Sequence, residues 1–221
     1  GQYTNAVYGF LSMLYKIMDD FNPDYICVAF DPKKPTFRHE QYKDYKATRA
    51  KAPNELLEQF QLIRDVLEIH NIKSIEIDGF EADDVAGIIA TEAEKLGLQV
   101  YLQLIDENIK VLLTKKGVTN IQEMDLDALH EEYGITPIEF IDLKALMGDS
   151  SDNIPGVGGV GEKTALKLIQ EYKSLDNIYD NIDKIKGKLK EKLENDKMQA
   201  YMSQTLSKII KDIPVEFDLE E

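Results

Sequence analysis

The sequence contains one cysteine, and Cys27 sits inside the apolar run Tyr25-Ile26-Cys27-Val28-Ala29-Phe30. An intrachain disulfide and a cysteine-rich zinc site are both excluded, and a reducing cytoplasm is the expected location. Long apolar runs are also missing. No stretch approaches the ~20 residues a helix needs to cross a bilayer, and the first residues lack the basic-then-apolar order of a signal peptide. A soluble chain with no membrane partner is expected. Positive charge is scarce: 26 Lys and Arg face 41 Asp and Glu, for a formal net charge of −15. Averaged over the chain, that balance argues against nucleic acid, whose phosphates are bound by clustered cations.

The scarcity is not uniform. Lys33, Lys34, Arg38, Lys43, Lys46, Arg49 and Lys51 stand against only Glu40 and Asp44 in one short segment, a basic island in an acidic protein. A solvated helix face accounts for such a run on charge alone. Aromatics are interleaved with it, however, in Phe37-Arg38-His39-Glu40 and Tyr42-Lys43-Asp44-Tyr45-Lys46-Ala47-Thr48-Arg49. That mixture suits a single strand, with phosphates on Lys and Arg and bases stacked on Tyr.

With 221 residues, 43% of them hydrophobic, the chain can bury one core with a small appendage. Val7, Phe10, Leu11, Leu14, Ile17 and Met18 recur at the spacing of an amphipathic helix over Ala6 to Asp20, with Thr4 or Asn5 as its cap. Tyr25 to Phe30 reads as a short buried parallel strand ended by Asp31-Pro32, which puts Asp31 at the carboxyl end where open α/β sheets place ligands. A helix from about Asn54 to Ile69, a strand near Ser74 to Ile77 and a helix from Ala82 to Leu96 capped by Gly97 follow. This alternation predicts an α/β domain with a mainly parallel sheet flanked by helices. Val100 to Ile105 and Ile109 to Thr114 read as a hairpin around Asp106-Glu107-Asn108. After Thr136-Pro137 only helices are expected, apart from an extended tail at Ile213 to Phe217.

Three constellations carry chemistry. Glu81-Ala82-Asp83-Asp84 places three carboxylates where a helix begins. The helix dipole accounts for one or two of them, and three together repel unless a cation intervenes. Gly148-Asp149-Ser150-Ser151-Asp152-Asn153 reads on its own as an Asx-turn and capping loop. Its neighbour, Ile154-Pro155-Gly156-Val157-Gly158-Gly159-Val160-Gly161-Glu162-Lys163-Thr164-Ala165, is a glycine-punctuated turn opening an amphipathic helix. The spacing resembles a helix-hairpin-helix, in which glycines let backbone N–H groups approach a phosphate at a helix N-terminus. A nucleotide-binding P-loop competes, but the spacing of Gly156, Gly161, Lys163 and Thr164 is wrong for it and no strand immediately precedes the loop.

In order along the chain, Thr4-Asn5-Ala6-Val7-Tyr8-Gly9-Phe10, Ala29-Phe30-Asp31, Thr36-Phe37-Arg38, Tyr45-Lys46, Glu81-Ala82-Asp83-Asp84, Leu112-Leu113-Thr114-Lys115-Lys116-Gly117 and Leu146 through Gly156 resemble the 5′-nuclease domain of bacterial DNA polymerase I. The resemblance implies a structure-specific 5′-3′ exonuclease and flap endonuclease of replication and repair, hydrolysing phosphodiesters by a two-metal mechanism on 5′ flaps, nicked duplexes and RNA primer ends. It implies a PIN-like α/β core over 1–135 with a basic helical arch over about 33–55, and a helical DNA-binding portion with a helix-hairpin-helix over 136–221. Asp31, Glu81, Asp83, Asp84, Asp149 and Asp152 match the acids that hold two Mg²⁺ or Mn²⁺ ions, hard cations that prefer oxygen donors. Lys46 and Arg49 match the arch cations that approach the scissile phosphate, with Arg38 and Lys43 beside them, and Tyr45 matches a position that stacks on the entering strand. Gly156, Gly158, Gly159, Gly161, Lys163 and Thr164 match the element that grips duplex, with K⁺ as a further implied cofactor. A monomer, normally joined to a polymerase, is expected.

The departures are specific. The family's first strand carries Asp-Gly-Asn, and this chain starts after it. A Gly-Asp-x-Asp turn between a strand like Gln99-Val100-Tyr101 and a helix like Leu102-Gln103-Leu104-Ile105 is also missing. Fewer ligands weaken metal binding, so the alternative function is a catalytically silent binder of branched or nicked DNA. Gly158 stands where the family usually has Pro, and a looser turn is expected there.

Overall fold

The computed structural model describes residues 1–94, 111–116 and 120–211. Helix α1 (Asn5–Phe21) turns Val7 and Leu14 inward against Ile63 and Leu67 of α3 (Asn54–Ile69). Its first amides are orphans by construction. Thr4 makes no side-chain cap; Gln59 Oε1 of α3 instead accepts from the N–H of Ala6 at 2.7 Å and of Val7 at 3.4 Å. The cap expected from the local sequence is therefore supplied from another helix.

Strand β1 (Cys27–Ala29) pairs in parallel with β2 (Lys73–Ile75), Cys27 opposite Lys73 and Ala29 opposite Ile75. Short helix α2 (Phe37–Gln41) lies in the basic island, and α4 (Ala82–Glu94) starts at the acidic triplet. A second pair, β3 (Val111–Lys116) with β4 (Asn120–Met124), is antiparallel. Among the described residues the sheet is thus small: one parallel pair and one antiparallel pair. The expected hairpin partner Val100–Ile105, the Gly97 cap and the tail at Ile213–Phe217 lie outside the described residues. The described partner of β3 is β4, whose polar Asn-Ile-Gln-Glu-Met carries too weak an alternation to announce a strand.

From here on the described chain is helical: α5 (Leu126–Tyr133), which the sequence pattern did not announce, and then, as the change of pattern after Thr136-Pro137 predicts, α6 (Pro137–Met147), α7 (Glu162–Tyr172), α8 (Leu175–Asp180), a 3₁₀ turn (Ile182–Lys184), α9 (Lys188–Asn195) and α10 (Lys197–Ser207). Thr136 and Glu139 form a capping box at the start of α6, with reciprocal bonds of 3.3 and 2.7 Å. Leu143 and Leu146 of α6, Ile169 of α7, Leu175 and Ile178 of α8 and Leu193 of α9 meet in one apolar core. Among the described residues, no helix is long and apolar enough to cross a membrane.

Candidate nucleic-acid interface

The connection between α6 and α7 must reverse tightly on itself. Asp149 and Ile154 exchange two backbone bonds, Asp149 N–H to Ile154 O at 2.9 Å and Ile154 N–H to Asp149 O at 2.8 Å. Gly156 then folds back onto the end of α6 at φ +62°, where a Cβ would stand 2.3 Å from Gly148 N and 2.7 Å from Leu146 O. No residue with a side chain fits there.

The basic island docks on this loop. Lys46 N–H donates to Asp152 O at 2.8 Å, Asn153 Nδ2 donates to Asp44 O at 2.6 Å, and Arg49 Nε donates to Ser151 O at 3.0 Å. These bonds hold Lys46 at φ +55°, a left-handed conformation that non-glycine residues seldom adopt. Tyr45, 3% exposed, is enclosed with Ile154 and Leu206, and its hydroxyl donates to Glu81 Oε2 at 2.9 Å and Asp152 Oδ2 at 3.4 Å. Burial raises the Tyr45 phenol pKa, and the charges of Glu81 and Asp152 raise it further, so the hydroxyl keeps its proton and remains a donor.

Of the acids expected to converge, Glu81, Asp84 and Asp152 are linked through Arg38 and Tyr45, and each of these three already has a cationic partner. Asp84 is fully buried; Arg38 NH1 and NH2 donate to its Oδ2 and Oδ1 at 2.5 and 2.8 Å. Its carboxylate also accepts from Glu81 N–H at 3.1 Å and Ile210 N–H at 3.0 Å. Arg38 is itself 3% exposed and donates to Leu206 O at 2.9 Å and Lys208 O at 2.8 Å. Burial opposes its charge, yet the bond and charge of Asp84 outweigh that and raise its pKa. Glu81 accepts from Lys46 Nζ at 2.6 Å and Arg38 NH1 at 3.3 Å. Asp152 is paired with Arg49 NH2.

Asp149 accepts from Lys144 Nζ at 2.8 Å and from the Ser151 amide at 2.9 Å. Partial burial pushes the Asp149 carboxyl up, but Lys144 and Ser151 prevail and lower it to about 2. Asp31 Oδ1 takes the N–H of Ala82, the first residue of α4, at 2.8 Å. Asp83 is exposed on the first turn of α4.

Two of the expected DNA contacts therefore sit elsewhere. The Arg38 guanidinium is buried and committed to Asp84, and the Tyr45 ring is enclosed, so neither faces a strand in this structure. Lys43 and Lys163 are exposed, and Thr164 is half-buried at the start of α7. Gly158 also differs from its expectation. Its amide, which a proline would lack, donates to Asp196 Oδ2 at 2.7 Å, so the turn is clamped rather than loosened at that point. Lys144 was not singled out by sequence, although its place five residues before Asp149, at the end of a helix, was readable.

Oxygen donors of this kind suit a hard divalent cation. Their arrangement does not: among the described residues, no group of three or more Asp, Glu, His or Cys side chains is set to hold a metal ion. Lys46, Arg49, Lys144 and Arg38 occupy the carboxylates instead.

The family model of the 5′-3′ exonuclease N-terminal resolvase-like domain matches residues 1–134, and that of its C-terminal SAM fold matches residues 135–221. The chain belongs to the 5′-3′ exonuclease family. DNA polymerase I of Bacillus caldotenax is 45% identical to this chain over all of it, and the match takes up 26% of the polymerase. The chain thus spans about a quarter of that relative's length. A structure of the T5 5′-exonuclease with zinc bound is 25% identical, with TM-score 0.71 over 90% of this chain and 80% of that one. The catalytic core of Rad2, solved in complex with DNA substrate, is 16% identical with TM-score 0.57 over 93% of this chain and 72% of that one, and shares the fold. The exonuclease fold, a resolvase-like half followed by a helical half, agrees with the α/β-then-helical order of the elements.

Proposed function

We propose that this chain is the structure-specific 5′-nuclease module of a longer, polymerase-I-type bacterial protein. It engages 5′ flaps, nicked duplexes and RNA primer ends in replication and repair, as a monomer in the cytoplasm. The observation that carries this reading is the meeting of Tyr45, Lys46 and Arg49 with Glu81 and Asp152: cations suited to a phosphate are docked against acids from both family-matched segments. Mg²⁺ or Mn²⁺, two ions per site, is the cofactor this reading requires, with K⁺ at the glycine turn. Its binding would demand that Glu81, Asp149 and Asp152 release Lys46, Lys144 and Arg49.

A second reading, a binder of branched or nicked DNA that does not cut, is favoured by that same pairing. Incubation with a labelled 5′-flap duplex in Mg²⁺ or Mn²⁺ separates the two. Cleavage near the branch is expected; a retarded but intact flap selects the silent binder, and no binding at low salt removes both. On the nuclease reading, Lys46→Ala lowers cleavage far more than binding, and equal losses would reduce Lys46 to a simple phosphate contact.

A further inference from the structure

The glycine turn is bonded by one stripe of α9 and α10. Ser203 Oγ accepts from Gly156 N–H at 3.0 Å, and Gln199 Nε2 donates to Gly156 O at 2.7 Å. Asp196 Oδ2 accepts from Gly158 N–H at 2.7 Å, and Lys192 Nζ donates to Gly159 O at 2.9 Å. Positions 192, 196, 199 and 203 follow the three-and-four spacing of a single helical face. The stripe survives the break between α9 and α10 because Asp196 is itself the junction, C-cap of one helix and N-cap of the next.

Three glycines in four residues cannot order a turn through their own side chains, and they lose more backbone freedom on folding than any other residue. Val157 and Val160 anchor the turn in the apolar core, but the exposed backbone between them is fixed from outside. On the adjoining helix, Gly161 caps α7 without any side-chain bond, and Glu162 and Lys163 are both exposed on its first turn. Asp196 brings a negative charge to the Gly158 amide. A residue placed there to attract phosphate would be cationic, which leaves shape, not attraction, as its contribution.

We propose that Lys192, Asp196, Gln199 and Ser203 are positioning residues for binding a nucleic-acid backbone. They preset the turn over 156–161, so that a phosphate meets a formed site and the ordering cost is met before binding. The proposal rests on the DNA-binding reading above and deepens it.

The test uses the whole chain in EDTA with a fluorescent nicked duplex, titrated at several salt concentrations. Alongside, amide hydrogen exchange is followed at Gly158, Gly159 and Gly161. Asp196→Ala combined with Lys192→Met is expected to speed Gly158 exchange at least about tenfold and to weaken the affinity roughly tenfold at every salt, with the slope against log salt unchanged. The melting temperature should move by only ~2 °C, because the two lost bonds lie at the surface. Asp196→Asn, which keeps an accepting oxygen, should restore most of the affinity.

Faster exchange with unchanged affinity would overturn the proposal, as would a weakening that flattens the salt slope, since Lys192 would then be touching phosphate directly. If the unaltered chain binds no duplex at low salt, the DNA-binding reading and this proposal fall together. Binding that the variants leave intact overturns the proposal alone.

Discussion

The helical half closes on hydrocarbon, with Leu143, Leu146, Ile169, Leu175, Ile178 and Leu193 almost fully buried in one cluster. The N-terminal half has a smaller apolar cluster of Val7, Leu14, Ile63, Leu67 and Ile72, and where it meets the last helix it buries a guanidinium against a carboxylate. Apolar contacts are non-directional and tolerate a neighbour of similar volume. A buried ion pair is all-or-none: intact it contributes little net stability, and broken it leaves an unpaired charge in a poor solvent. The two halves should therefore respond to damage in different ways.

Arg38→Met gives the sharpest contrast. It strands Asp84 without its bidentate donor, and a loss of about 4 kcal/mol in denaturant-monitored stability is expected. Adding Asp84→Leu should recover part of that loss, though not all, because the amides of Glu81 and Ile210 lose their acceptor. A cost below about 1 kcal/mol for Arg38→Met would place the pair among ordinary surface contacts and erase the comparison.

In the other half, Ile169→Ala should cost about 3 kcal/mol through lost burial and the cavity left behind, read from the same denaturation curve. No partner substitution is expected to repair it except one that refills the volume. Tyr45→Phe comes next, at about 1.5 kcal/mol, because Glu81 loses the hydroxyl's hydrogen bond, whose single proton is shared only weakly with Asp152, while the ring stays enclosed. An unchanged midpoint would mean the hydroxyl merely fills space.

The smallest effect concerns pH. The folded carboxyl of Asp149 is lowered from an ordinary 3.8 to about 2, so its contribution is present above that ordinary value and is lost as pH falls through about 2. Carboxyl NMR in EDTA should find this low midpoint, and Lys144→Met should move it upward. A midpoint near 3.8 in the unaltered chain would contradict the pairing.

Much of the scaffold was readable from periodicity. The apolar spacing of Val7 to Met18 gave α1 nearly to its ends, and the run Tyr25 to Phe30 gave β1 and put Asp31 at its carboxyl edge. The acids were legible in the sequence one by one, but their partners were not. Arg38 and Asp84 are 46 residues apart, and nothing local distinguishes the arginine that is buried from Arg49, which is half exposed. Tyr45 misled for the same reason: an aromatic among lysines has the same composition whether it waits for a base or closes a core. The stripe at Lys192, Asp196, Gln199 and Ser203 was present as helical spacing, but its meaning depended on the turn that happened to lie across from it.

The bonds from Arg38 to the carbonyls of Leu206 and Lys208, and from Ile210 to Asp84, tether the exit of α10 to the foot of α4. Glu81 stands at that foot and shares the same guanidinium. A tug on residues 206–210 would therefore be felt at Glu81 through a single rigid link, making the exit of the last helix a handle on the acidic region.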